Sequence, residues 1–123
     1  MLILSIIWSI LIFVLCTMPT SGLPKIRIPN VDKIVHFGFF FVQSILFSII
    51  LYLHANLRLY KILLLTTVLA VFYGGFIEIL QDKFFNRQGD IIDVIADTIG
   101  GIVGTLVYPL ALKCIEPLFR KST

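Results

Sequence analysis

The sequence is short of charged residues, which make up 14% of its 123 positions, against about 25% in a typical soluble domain. Hydrophobic residues make up 59%, and the mean hydropathy is +1.03. Because so little polar surface cannot cover a water-soluble globule, this composition excludes an ordinary soluble protein. We predict a single membrane domain over residues 1–123, with no room for a second one.

Several functional motifs are also missing. The two cysteines, Cys16 and Cys114, have neither CxxC nor metal-ligand spacing, and no HExxH or HxxxD pair places ligands on one helix. The ten Lys and Arg residues are spread through the loops and the tail, without the clustered basic face that nucleic-acid binding requires. We therefore predict no metal, no cofactor and no nucleic-acid partner.

Long apolar runs, by contrast, fill most of the chain. A membrane-spanning helix needs about 20 mostly apolar residues, and we predict an all-α membrane protein, a four-transmembrane-helix bundle, with spans at about residues 2–18, 34–53, 62–80 and 91–112. The first run lacks a preceding Lys or Arg and a following small-x-small cleavage site, so we predict a retained span and not a signal peptide. The short connection HANLRLYK predicts that the second and third spans are antiparallel neighbours.

Membrane topology follows only in part from the sequence. With four spans, the first and third loops lie on the same side of the membrane, whichever way the chain is inserted. Lys and Arg divide equally between the two sides, so the positive-inside rule assigns no absolute orientation.

Three predicted helices carry polar residues at spacings of three, four or seven, which place them on one helix face. These faces are His36 and Gln43 on the second helix, Gly74, Glu78 and Gln81 on the third, and Asp90, Asp93 and Asp97, followed by Gly100 and Gly104, on the fourth. On each face the polar residues lie near the helix end on the same side of the membrane. We therefore predict an interior polar pocket that opens to that side.

Some of these charges have a simpler structural explanation. Asp90 is placed to cap the fourth helix, Asp93 lies near the positive end of its dipole, and Asp32 can cap the second helix. Glu78 and Asp97 are harder to explain by capping. Asp97 lies about 10 Å inside Asp90 by helical rise, and an unpaired charge near the membrane centre costs about 2.5–3.5 kcal/mol. Asp97 must therefore be paired, protonated or hydrated.

The motifs DKIVHF at 32–37, EILQ at 78–81, Arg87 and DVIADTIGGIVG at 93–104 resemble the VanZ-like family of small bacterial membrane proteins. The resemblance covers about the last three spans. It implies a helical membrane domain and an association, through the founding member, with low-level resistance to the glycopeptide teicoplanin. The positions that match the family are Asp32, Lys33, His36, Glu78, Gln81, Arg87, Asp93, Gly100 and Gly104. At Asp97 the family usually has Asn, so the resemblance implies no charge requirement there.

The leading hypothesis is a multi-pass protein of the bacterial cytoplasmic membrane, in contact with the lipid bilayer, that binds an amphiphilic envelope component in its polar pocket. A lipid-linked precursor or a lipoglycopeptide fits this description, with Lys33 and Arg87 for anionic groups and the carboxylates for amine or hydroxyl groups. The predicted binding residues are Asp32, Lys33, His36, Glu78, Gln81, Arg87, Asp93 and Asp97.

Two other classes of function stay open at this point. The first is a membrane enzyme that acts on a lipid-linked head group, with His36 as general acid or base. The second is a structural or partner-binding helix bundle, in which Gly74, Gly100 and Gly104 serve helix association. The sequence identifies neither the ligand nor the oligomeric state.

Overall fold

The computed structural model describes residues 1–18, 31–84 and 90–120, apart from the side chains of residues 119 and 120. These residues form helices only, and no strand occurs among them. The four helices are α1 (Leu2–Thr17), α2 (Val31–Ala55), α3 (Leu59–Phe84) and α4 (Ile91–Arg120). The predicted all-α architecture is confirmed. Arg87, a predicted binding residue, lies outside the described residues.

Three helices, α2, α3 and α4, are long and apolar enough to cross a membrane. Each continues beyond its predicted apolar run, because helical hydrogen bonding extends through the polar turns that border the run. The N-terminal helix α1 is also apolar, but its 16 residues are fewer than the about 20 that a full span needs. The chain is thus a helical membrane protein with one shorter helix.

The helix α4 is central to the packing, since α2 contacts it most extensively and α3 next. Gly100 and Gly104 lie against the backbone of α2, where a Cβ on either would clash with the carbonyl oxygen of Phe37 or Phe41. Glycine therefore allows the two helices to approach backbone to backbone. The predicted neighbours α2 and α3 do touch, but less extensively.

The helix α1 is attached to α2 and α3 by hydrogen bonds. Trp8 Nε1 donates to the carbonyl oxygen of Phe39 at 2.9 Å, and the Tyr73 hydroxyl donates to the carbonyl oxygen of Ser9 at 2.6 Å. Inside a membrane, where water is scarce, such bonds satisfy polar groups that are otherwise costly. They fix the orientation of α1, although most of its large apolar side chains are exposed.

The middle of the bundle holds a cluster of buried hydroxyl groups that the sequence analysis did not single out. The hydroxyl oxygens of Thr66 and Thr105 are 2.6 Å apart, and the Ser48 hydroxyl donates to Thr105 at 3.4 Å. One residue comes from each of α2, α3 and α4. Interhelical hydrogen bonds of this kind contribute about 0.6 kcal/mol each, so the cluster helps to set the relative orientation of these helices.

Candidate functional site

Ionisable side chains from three helices meet at the end of the bundle where α3 ends and α4 begins. This acidic cluster consists of Asp32, Lys33 and His36 of α2, Glu78 of α3, Asp90 immediately before α4, and Asp93 and Asp97 of α4. His36, Glu78, Asp93 and Asp97 are between 0% and 6% exposed. The polar faces of α2, α3 and α4 therefore come together inside the protein.

The imidazole of His36 lies at the centre of the cluster. Its Nδ1 is 2.9 Å from Oδ1 of Asp97. An ionised carboxylate only accepts, so in this pair the ring proton is on Nδ1 and a neutral ring has its lone pair on Nε2. Nε2 is 3.8 Å from Oδ2 of Asp93 and 3.9 Å from both Oδ1 of Asp32 and Oε1 of Glu78. These three distances are too long for hydrogen bonds.

Asp97 fits against α3 because residue 74 is a glycine. A Cβ at Gly74 would clash with Oδ2 of Asp97. This oxygen is buried and has no hydrogen-bond partner among the described residues. A carboxylate in such a place is costly unless it is paired or protonated, and His36 is the partner to which its other oxygen is bonded.

Glu78 joins the end of α3 to the start of α4. Its Oε2 accepts a hydrogen bond from the amide of Asp90 at 2.8 Å, while its Oε1 is buried without a hydrogen bond in the described part of the chain. Asp90 in turn accepts from the amide of Ile92 at 2.9 Å, so its predicted role as a helix cap is confirmed. One oxygen of the Glu78 carboxylate thus binds the backbone at the start of α4, and the other oxygen faces the imidazole of His36.

Lys33 links α2 to the start of α4. Its Nζ is 3.2 Å from Oδ2 of Asp90 and 3.6 Å from Oδ1 of Asp93. The hydrogen bonds from the Ile92 amide and the Lys33 ammonium hold the pKa of the Asp90 carboxyl below its ordinary value. Because Lys33 already pairs with two carboxylates, its charge is compensated within the protein.

Two glutamines on the predicted polar faces contact α1 and not the acidic cluster. Gln81 Nε2 donates to the carbonyl oxygen of Cys16 at 2.5 Å, and Gln43 Nε2 donates to the hydroxyl of Ser5 at 3.2 Å. Gln81, a predicted binding residue, therefore has its described hydrogen bond with α1. Helical spacing identified the buried face of α3 but did not indicate that α1 occupies part of it.

A cleft of about 450 Å³ lies beside the acidic cluster, between α3 and α4. Its apolar wall consists of Val71, Gly75, Ile79, Ile91 and Val94, and its polar residues are Glu78, Asp82 and Asp90. Asp82 was not among the predicted binding residues, although its i+4 spacing from Glu78 places it on the same face of α3. The cleft therefore combines an apolar wall with an acidic end, and it shares Glu78 with the cluster.

The cluster also has the composition of a metal-ion site. Asp32, His36 and Asp93 each offer one ligand atom, and these atoms all lie within 4.8 Å of one another. Asp32 and His36 are an i, i+4 pair on α2. The aspartate comes first in this pair, unlike in an HxxxD motif, and the third group comes from another helix. This is why the sequence alone predicted no metal.

The comparisons with known proteins agree with the motifs found in the sequence. A family model described as VanZ/LLP1 matches residues 1–112 of the chain. No curated protein and no solved structure is significantly similar to it. The matched residues include the whole of the acidic cluster and of the cleft. The chain therefore belongs to the VanZ/LLP1 family of membrane proteins.

Proposed function

We propose that this protein is a multi-pass protein of the bacterial cytoplasmic membrane that binds an amphiphilic component of the cell envelope in the cleft between α3 and α4. The observation that carries this proposal is the composition of the cleft, which has an apolar wall and three carboxylates. Membership of the VanZ/LLP1 family supports an association with glycopeptide resistance.

The apolar wall suits a hydrocarbon chain that enters from the bilayer. Val71 is 42% exposed and Ile79 is 55% exposed, so the wall is continuous with the surface that faces lipid. A volume of about 450 Å³ is within the range of about 300–1,000 Å³ that small-molecule sites occupy. It accommodates one head group or part of an acyl chain, and not a whole lipoglycopeptide.

The acidic end selects the chemistry of the head group. Glu78, Asp82 and Asp90 offer only acceptor oxygens when they are ionised. An ammonium or hydroxyl group of the ligand can donate to them, whereas a phosphate would be repelled. Since Lys33 pairs with Asp90 and Asp93, these residues favour an amine or hydroxyl donor over an anion.

Filling the cleft tests this proposal. A Cβ at Gly75 meets no atom within 4 Å, and the same is true at Gly38, so a leucine at either position should be compatible with the fold. Only Gly75 lines the cleft. We expect Gly75→Leu to weaken binding of fluorescent teicoplanin to the detergent-solubilised protein by about tenfold or more, equivalent to at least about 1.4 kcal/mol, and Gly38→Leu to leave it unchanged.

A second probe identifies the kind of amphiphile. The same titration is repeated with a lipid-linked cell-wall precursor, and Asp82→Asn is included as a charge variant because Asp82 is exposed and outside the buried cluster. We expect Asp82→Asn to lower the affinity for a probe whose amine donates a hydrogen bond to this carboxylate. If Gly75→Leu bound each of the two probes as tightly as the parent protein does, binding in the cleft would be contradicted.

One observation favours a second candidate function, a membrane enzyme acting on a lipid-linked head group. The 2.9 Å hydrogen bond between Asp97 and Nδ1 of His36 orients the ring, as general acid–base catalysis by a histidine requires. Turnover of a lipid-linked substrate by the purified protein, abolished in His36→Gln, would establish this alternative. Absence of turnover at a saturating concentration of that substrate would remove it.

A further inference from the structure

We propose that Asp32, His36 and Asp93 bind one divalent transition-metal ion, such as Zn²⁺ or Mn²⁺. The ion would lie between Nε2 of His36 and the carboxylates of Asp32 and Asp93, with the Glu78 carboxylate beside it. This inference does not depend on the ligand proposed for the cleft, because none of these three residues lines the cleft.

The distances around His36 fit an ion better than they fit direct contacts. Nε2 is 3.8 Å from the nearest oxygen of Asp93 and 3.9 Å from those of Asp32 and Glu78. Zinc binds nitrogen and oxygen at about 2.0–2.2 Å, so two atoms on one ion are at most about 4.4 Å apart. Each of the three oxygens therefore lies close enough to Nε2 for the two atoms to coordinate one ion. None of them is close enough to accept a hydrogen bond from Nε2.

The orientation of His36 is also that of a metal ligand. Asp97 accepts the hydrogen bond of Nδ1 at 2.9 Å, which points the lone pair of Nε2 into the group of carboxylates. Histidines that bind metals usually donate their other ring hydrogen to a carboxylate or a carbonyl, which fixes the tautomer and raises the basicity of the ligand atom. Asp97 is placed to act as this outer partner.

One buried oxygen that faces Nε2 of His36 has no hydrogen bond within the described residues. It is Oε1 of Glu78, 3.9 Å from that nitrogen and on a side chain that is 8% exposed. The oxygen of Asp93 that faces Nε2 is Oδ2, whereas its Oδ1 faces Lys33. Lys33, at 3.6 Å from Asp93, is the lysine paired with the cluster, which contains five carboxylates including Asp90 and Asp97. A divalent ion would compensate this excess of negative charge among the described residues, where water cannot screen it.

The donor set indicates the class of ion. Imidazole nitrogen with carboxylate oxygens suits zinc, manganese or iron(II), whereas magnesium and calcium prefer oxygen ligands alone. The Asp32 side chain is 55% exposed, while His36 is buried. The site is therefore accessible from the end of the bundle through Asp32.

Metal binding can be measured directly on tag-free protein in detergent, after treatment with EDTA and dialysis. We expect Zn²⁺ or Mn²⁺ to bind with a stoichiometry of about one in isothermal titration calorimetry, with little response to Mg²⁺. Asp32→Asn should weaken binding by at least about 10- to 100-fold, the range seen even for outer-shell changes. Since Asp32 is more than half exposed, this variant is expected to fold.

The chain offers a matched control in its second histidine. His54 is exposed near the end of α2, away from the cluster, so His54→Asn should retain full affinity while His36→Asn loses it. Gly75→Leu should also retain it, which separates this test from that of the cleft. Absence of stoichiometric binding, undiminished binding in Asp32→Asn and His36→Asn, or loss of binding in His54→Asn would each overturn the proposal.

Discussion

Asp97 is fully buried and makes a hydrogen bond to Nδ1 of His36 at 2.9 Å. Its other oxygen lies against Gly74. The pair connects α2 to α4 inside the protein. What the fold requires at this position is an acceptor for the histidine, and an amide oxygen can provide one as well as a carboxylate can.

We expect Asp97→Asn to unfold close to the temperature of the parent protein, and Asp97→Leu to be clearly destabilised. Leucine would leave the ring nitrogen without its partner, at a cost of about 1–3 kcal/mol for a buried polar group. Thermal unfolding in detergent, followed by circular dichroism, measures the difference. Equal destabilisation by the two variants would mean that the negative charge itself is required.

Asp90 and Gln81 show which contacts of single residues the sequence could predict. The capping role of Asp90 was predictable, because it depends on a neighbouring amide two residues away. The role of Gln81 was not, because its partner, the carbonyl oxygen of Cys16, belongs to a distant helix. Local chemistry can be derived from spacing, whereas the partner of a buried side chain depends on how the helices pack.

The same limit applies to whole elements. The apolar runs predicted where the helices lie, and the short connection predicted contact between α2 and α3. The more extensive contact is between α2 and α4, and the glycines of α4 were its indication in the sequence. Two helices whose backbones touch gain more contact than two that are joined by a short loop but separated by large side chains.

We expect Gly100→Ala to destabilise the protein, because the new Cβ would clash with the carbonyl oxygen of Phe37. Overpacking of this kind costs about 1–3 kcal/mol. Gly75→Ala is the matched control, since a Cβ there meets no atom within 4 Å, and its unfolding temperature should be unchanged or raised. If Gly75→Ala were the more damaging variant, the close approach of α2 and α4 would be wrong.

A comparison of Gly100→Ala with Glu78→Gln separates binding from a purely structural function. For a bundle that serves only helix association, Gly100→Ala should impair cellular function more than Glu78→Gln does. For a binding protein the order is reversed at equal protein levels, because Glu78 contributes to both the cluster and the cleft. Resistance to teicoplanin in cells that express each variant is the measurement.

For the whole molecule, the acidic cluster requires the start of α2 and the start of α4 to lie at one end of the bundle. The 3.2 Å distance between Lys33 and Asp90 gives this arrangement directly. It agrees with the expectation that the first and third loops share a side of the membrane. The connection between α2 and α3, which contains Asn56, lies at the other ends of these two helices.

Cysteine labelling tests this topology in intact cells. In a Cys114→Ser background, with Cys16 only 3% exposed, we expect Thr20→Cys and Asn86→Cys to react from the same side of the membrane. Asn56→Cys should react from the opposite side. Labelling of Thr20→Cys and Asn86→Cys from different sides would exclude the shared face and the site built on it.

The sequence therefore predicted a helical membrane protein with polar faces directed to one side, and His36, Glu78 and Asp97 were among its candidate residues. It could not predict that three carboxylates surround one ring nitrogen, since this depends on contacts between three helices. The sequence did not predict the cleft either, because Ile79 and Asp82 of α3 line it only together with residues at the start of α4, such as Ile91.

Photocrosslinking tests most directly whether an amphiphile binds in the cleft between α3 and α4. Benzoylphenylalanine is placed at Ile79, which lines the cleft, or at Phe76, which does not. The two positions lie on the same helix and are 55% and 52% exposed. We expect teicoplanin to crosslink at position 79 and to be displaced by excess unlabelled ligand, with only background at position 76. Equal crosslinking at both positions would contradict the cleft as the binding site.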